Sequence, residues 1–264
     1  MEILGYVAAL FIGLSLGLTG SGGSILTVPI LVYLIGLNPV MATAYSLFVV
    51  GLTSLVGSFK FYRKKLVNFK TALVFGIPSL LTVLLTRTFI IPAIPAHILS
   101  VGGFTLTKDV LLLLLFAVLM VAASFSMIRK RKGKTGEGAD PGIRFWAVLG
   151  QGILVGLVSG LVGAGGGFLI IPALVLFTGL DMKKAVGTSL FIIAANSLFG
   201  FLGDVFHYDI DWLFLLAFST LSIVGIFIGT ALAAKVDGQS LKRGFGWFIL
   251  AMGLYILLKE IFLS

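Results

Sequence analysis

Few side chains in this sequence could do chemistry. There is no cysteine, and His97 and His207 are the two histidines, so disulfides, thiolate metal sites and a cysteine nucleophile are excluded. What the chain offers instead is glycine and serine in unusual places. The stretches "GLTGSGGSILTVP" (17–29) and "GLVGAGGGFLIIP" (160–172) each interrupt a long apolar segment. Glycine permits φ > 0 and the close approach of another backbone or a ligand. A helix starting just after such a break has free N–H groups and the positive end of its dipole, which together bind anions. The pattern therefore points to backbone recognition of a small anion. Its candidate residues are Gly20, Ser21, Gly22, Gly23 and Ser24 in the first stretch, and Gly163, Gly165, Gly166 and Gly167 in the second. Ser21 and Ser24 add hydroxyl donors where the second stretch has Ala164 and Gly167, so the site is expected to be asymmetric.

Ionisable and polar residues inside apolar segments are the other candidates, because they are costly in lipid. Arg87, in "LLTRTFIIP", either lines a substrate path or snorkels to headgroups from near the outer end of its span. Asp204 is expected to snorkel to water rather than carry protons. Ser46, Thr188, Ser189 and Asn196 are either ligand contacts or hydrogen bonds between helices. The pairs Gly13/Gly17, Gly156/Gly160 and Gly225/Gly229 have the spacing of helix-packing glycines. No Gly-Lys-Ser/Thr ending makes a phosphate loop of residues 17–24, and both histidines fall in loops away from Ser21. The chain reads as a protein with no enzymatic activity, cofactor or bound metal. Any active transport would draw on a coupling ion, a proton gradient or a partner.

The elements that must hold these residues follow from composition. Of 264 residues, 59% are hydrophobic and 11% charged, against about a quarter charged in soluble domains. The solvent of this chain is mostly lipid. The net charge of +9 comes from Lys and Arg placed between apolar segments, as topology determinants are, and not from a nucleic-acid surface. Spans are predicted at about 40–60, 70–91, 109–128, 184–206, 212–233 and 243–262. Segments 3–36 and 145–179 are too long for one upright span, and each is cut by its glycine cluster.

Residues 13–57 and 156–200 align without a gap at a shift of 143, with 20 of 45 positions identical. Gly, Pro and Ser match in register as well as Leu and Val, so this is an internal repeat. The predicted organisation is a first membrane repeat (1–128), a charged cytoplasmic linker (129–144) and a second membrane repeat (145–264). If each cut segment returns to its starting side, the loops 60–70, 129–144, 180–184 and 235–243 all lie inside. Arg87, Lys108, Lys259 and the acidic turn 207–211 then lie outside, which follows the positive-inside rule. Three net crossings per repeat make the repeats inverted. The expected fold is an all-α integral membrane protein of about eight spans.

The twin GxGG segments, each followed by a proline and a short apolar run, resemble the TauE/SafE family of sulfite-exporter-like transporters. So do "AVGTSL" (185–190) and "IDW" (210–212). In the first half "ATAYSL" (42–47) and "RKKLVNF" (63–69) stand in the corresponding places. The resemblance implies a multi-pass cell-membrane transporter of small sulfur-containing or organic anions such as sulfite, thiosulfate or sulfoacetate. The residues themselves point to alternating access at a midplane site between the two broken segments. An anion channel and a non-transporting membrane assembly factor are the alternatives.

Overall fold

The structure, a computed structural model, describes residues 2–20, 22–101, 104–128, 141–232 and 238–262. Ser21, linker residues 129–140 and Lys235 lie outside the described residues. The described residues are almost wholly helical: α1 (Glu2–Thr19), α2 (Gly22–Pro29), α3 (Pro39–Arg63), α4 (Phe69–Leu85), the short α5 (Ile91–Ala93), α6 (Lys108–Ile128), α7 (Pro141–Val162), α8 (Gly167–Thr178), α9 (Met182–Val205), α10 (Trp212–Leu232) and α11 (Gly238–Phe262). Wider π-helical turns follow α2 at Ile30–Leu34 and α4 at Thr86–Ile90. A β-hairpin, β1 (His97–Val101) with β2 (Phe104–Thr107), precedes α6. The hairpin lies between two predicted spans, where no strand was expected. Five apolar helical stretches among the described residues are long enough to cross a membrane: Pro39–Arg63, Phe69–Ala93, Lys108–Phe125, Met182–Val205 and Trp212–Leu232. The chain is an all-α membrane protein.

Each broken segment doubles back on itself. A Cβ at Gly23 would meet the Ile12 carbonyl and lie 2.6 Å from the Leu16 amide, and one at Gly5 would meet Ile35. The returning arm therefore lies along α1 from its turn to its far end. In the second segment Gly166 packs on Val155 and Ser159 of α7.

The packing repeats itself at a shift of 143. Gly13 lies on Ser222 and Gly156 on Ser79, while Gly17 lies on Gly229 and Gly160 on Thr86. So α1 packs on α10 as α7 packs on α4, both pairs running parallel. Backbone contact closer than a side chain allows is what these glycines supply. The central pair, α3 and α9, runs antiparallel, with Gly51 on Leu198, Gly57 near Leu190 and Gly200 on Leu47.

The helix starts repeat too. Asn38 caps α3 by accepting from the Val40 amide (2.8 Å), and Asp181 caps α9 by accepting from the Lys183 amide (2.8 Å). Asn68 caps α4 through the Thr71 amide (3.0 Å), and Asp211 caps α10 through the Phe214 amide (3.1 Å). In both halves, side-chain acceptors satisfy amides that the first helical turn leaves free.

Candidate functional site

The second break is built from three left-handed glycines, Gly163 (φ 71°), Gly165 (φ 64°) and Gly166 (φ 69°). Side chains other than glycine rarely adopt this conformation, which is why the sequence spends its glycines here. The break turns the chain from α7 into α8, whose first residue is Gly167. A Cβ at Gly165 would lie 2.5 Å from Ser197 Oγ and 3.1 Å from Val50, near the middle of α9 and α3. One at Gly163 would strike Thr43 and lie 2.7 Å from Arg87 Nη2. The break thus extends from mid-length of the central helix pair toward Arg87.

Arg87 does not snorkel. It sits in the π-helical turn after α4 and is fully buried. Its Nη1 donates to Asp204 Oδ2 (3.0 Å) and to Thr43 Oγ1 (3.1 Å). Asp204 is 1% exposed, so the expectation that it reaches water from its span end is also corrected. Each charge is held in the interior by the other, and Gly203 lets Arg87 Cβ approach α9. A π-helical turn places one extra residue per turn and often marks a functional position. Here it carries the guanidinium.

The pair is incomplete. Arg87 Nε and Nη2 and Asp204 Oδ1 have no hydrogen-bond partner, nor do Ser159 Oγ and Ser197 Oγ. Buried donors without partners cost about 1–3 kcal/mol each, more when charged. Around the break at 163–166 the protein therefore holds a guanidinium edge and two hydroxyls with unused hydrogen-bonding capacity. The same end of the molecule carries Lys108, His207 and Tyr208 near Asp204. Burial, and then the Asp204 charge, pushes the Tyr208 phenol above its ordinary pKa.

The first break differs. Gly20 (φ 77°) packs against Val186, the residue equivalent to Thr43. Gly22 opens α2, Gly23 is wedged on α1, and Ser24 is buried. Next to this break is a cleft of about 550 Å³, lined among others by Gly17, Lys60, Lys64, Lys183, Val186 and Thr230.

The polar candidates on α3 and α9 separate. Thr188 Oγ1 accepts from the Asn68 amide (3.0 Å), and its equivalent Tyr45 Oη accepts from the Asp211 amide (2.7 Å). Both hydroxyls pin the start of the next span. Ser189 donates to the Val186 carbonyl (2.9 Å) within its own helix. Asn196 Nδ2 donates to Ser79 Oγ (2.6 Å), tying α9 to α4, while its Oδ1 and Ser46 Oγ are buried without partners. Thr188 and Asp204 are about 24 Å apart along α9 at 1.5 Å per residue. Thr188 therefore does not join the Arg87 cluster.

Residues 6–256 match the family model described as sulfite exporter TauE/SafE. The chain belongs to this family. A probable membrane transporter protein of Xylella fastidiosa is 31% identical over 254 residues, covering 94% of this chain and 92% of the relative. The probable membrane transporter protein YunE of Bacillus subtilis is 27% identical over 278 residues, covering 98% and 100%. The probable membrane transporter protein MJ0441 of Methanocaldococcus jannaschii is 33% identical over 111 residues, covering 40% and 42%. No solved structure matches.

Within this TauE/SafE chain, sequence reasoning missed Thr43, Ser159, Ser197 and the partnership of Asp204 with Arg87. Ser54 and Ser197 were visible as an identical pair in the repeat, and Ser197 was the available signal. Nothing local joins residues 87 and 204, since their meeting depends on how α4 and α9 pack.

Proposed function

We propose that this chain carries a small anion, of the sulfur-containing or organic class that includes sulfite, thiosulfate and sulfoacetate, across the cell membrane by alternating access. The two broken segments, 3–36 and 145–179, belong to inverted repeats, each a hairpin plus three crossing helices. Supporting this are the antiparallel run of the equivalent helices α3 and α9 and the doubling back of each broken segment. Non-helical backbone at membrane depth is tolerated where it is buried in protein or lines a cavity, and both breaks meet that condition.

The observation that carries the proposal is the buried Arg87 guanidinium, with Nε and Nη2 unpaired beside Gly163. An oxyanion supplies the acceptors that these groups lack, and charge-assisted bonds are the strong ones. Backbone amides at the starts of α2 and α8 complete a site that binds by dipoles as well as charge. Such a site can release its ligand, because only part of the attraction is a full charge. Gly20, Gly22, Gly23, Ser24, Gly163, Gly165, Gly166, Gly167, Ser46, Ser189 and Asn196 shape or line this path, and Thr188 fixes the helix that flanks it. Energy for uphill movement comes from a coupling ion or a proton.

The test is flux in proteoliposomes with sulfite, thiosulfate, sulfoacetate and sulfate offered separately. Saturable uptake of at least one, lost in Arg87→Leu, is the expected result. Absence of flux for every anion would point to an assembly role, and flux without saturation to a channel; either would overturn the proposal.

A further inference from the structure

The shift of 143 that relates the two breaks also relates their surroundings, and the two ends are not alike. Thr43 corresponds to Val186, Arg87 to Thr230, Gly203 to Lys60, and Gly160 to Gly17. At the first end these positions close: Arg87 is locked to Asp204 and Thr43, with no exposed surface. At the other end the equivalent residues line the open cleft of about 550 Å³. There the cation comes from α3 instead. Lys60 Nζ reaches across to Thr230 Oγ1 at 3.0 Å. So the contact between residues 203–204 and 87 is mirrored by a contact between residues 60 and 230, with the positive charge on the opposite partner.

Resting on the proposed anion-carrying function, we infer that this cleft is a second oxyanion site, the vestibule of the pathway at its open end, with Lys60 as the charge partner of the bound anion. Three lysines, Lys60, Lys64 and Lys183, line it, and among the described residues no carboxylate does. Among the described residues the one ion pair is Arg87–Asp204, so none of the three ammonium groups is paired with a carboxylate of a described residue. Clefts lined by one sign of charge concentrate ions of the other. Thr230 supplies a hydroxyl that both accepts from Lys60 and donates to the Phe227 carbonyl (3.1 Å). Lys60 is therefore held over the cleft while two of its three N–H donors stay available. Gly17 matters here because a side chain would strike the backbone of α10 at Ile226 and Thr230, pushing away the wall that carries the hydroxyl. An anion leaving this cleft inward meets Val186 and then the break at Gly20, as one at the far end would meet Thr43 and Gly163.

The natural absence of cysteine allows a test that reads the cleft without transport. Val186→Cys, with Leu18→Cys as a second position on the same wall, is alkylated in detergent by iodoacetate and by neutral iodoacetamide. Thr43→Cys serves as the equivalent at the closed end. The inference expects reaction at Val186→Cys, an iodoacetate-to-iodoacetamide rate ratio about tenfold above that of a free thiol, loss of that preference in Lys60→Gln, retention in Lys60→Arg, and no reaction at Thr43→Cys. Sulfate is expected to slow iodoacetate. Equal preference in the parent and Lys60→Gln backgrounds at both wall positions would overturn the inference even if the protein transports anions. Protection by phosphatidylglycerol vesicles but not by sulfate would assign the cleft to a lipid headgroup and also overturn it. Anionic preference in a protein that moves no anion would leave the site standing and the transport proposal fallen.

Discussion

Removing first one and then both partners of the Arg87–Asp204 pair separates its structural role from its role in transport. Nη1 and Oδ2 are 3.0 Å apart, and the two side chains are 0% and 1% exposed. Deleting one partner strands the other in the interior, at about 3–5 kcal/mol. The single variants are not equivalent. Arg87→Leu leaves a carboxyl that can discharge itself by taking up a proton, whereas Asp204→Leu leaves a guanidinium that cannot lose one. Asp204→Leu is therefore expected at the upper end of that range and Arg87→Leu at the lower. The double variant, Arg87→Leu with Asp204→Leu, removes both charges and both desolvation penalties. Apolar replacement of a buried pair is commonly neutral or stabilising by about 1–4 kcal/mol, so the double variant is expected to unfold at or above the parent's temperature. It has nonetheless lost the unpaired Nε and Nη2 donors of Arg87 and is expected to move no anion. Thermal unfolding in detergent, followed by sulfite or sulfoacetate uptake in proteoliposomes, reads both quantities on the same four proteins. A double variant transporting at the parent rate would refute a role for Arg87 in holding the anion. Single variants as stable as the parent would refute the energetic account of the pair.

Four further outcomes are expected. Arg87→Lys retains partial flux, since charge at a mobile anion counts for more than the guanidinium fork; flux as low as in Arg87→Leu contradicts this. Thr188→Val leaves the Asn68 amide without its acceptor and destabilises by about 1–3 kcal/mol with KM unchanged, whereas a raised KM at parent stability would place Thr188 on the ligand. Gly23→Ala drives a Cβ into the Ile12 carbonyl and the Leu16 amide and is expected to lower the yield of monodisperse protein sharply; a normal elution profile would show that α2 can withdraw from α1. Single cysteines at Lys184 and Tyr208 are expected to label from opposite sides of oriented vesicles, and labelling from one side would exclude the proposed topology.

The sequence alone determined the helical membrane class, five of the apolar spans and the positions of the two breaks. These are local or periodic properties: a run of apolar residues long enough for a bilayer, and glycines where the backbone needs φ > 0. The shift of 143 was equally legible, and the packing of Gly13 on Ser222 and Gly156 on Ser79 obeys it. Even the β-hairpin left a trace in the Gly-Gly between "HILSV" and "FTLT", a turn signal between two short runs of strand-forming residues. What the linear order could not hold was the fate of single polar side chains. Thr188 and Arg87 look alike in the sequence, each a polar residue in an apolar run. Packing turns one hydroxyl into the acceptor for a loop amide and encloses the other side chain with Asp204, 117 residues away. An arginine five residues before a proline near a span end has water within reach in an isolated helix. Only the approach of α9 at Gly203, the π-helical turn after α4 and the break at Gly163 take that water away, and so only the tertiary structure decided that Arg87 is buried, paired and still short of hydrogen bonds.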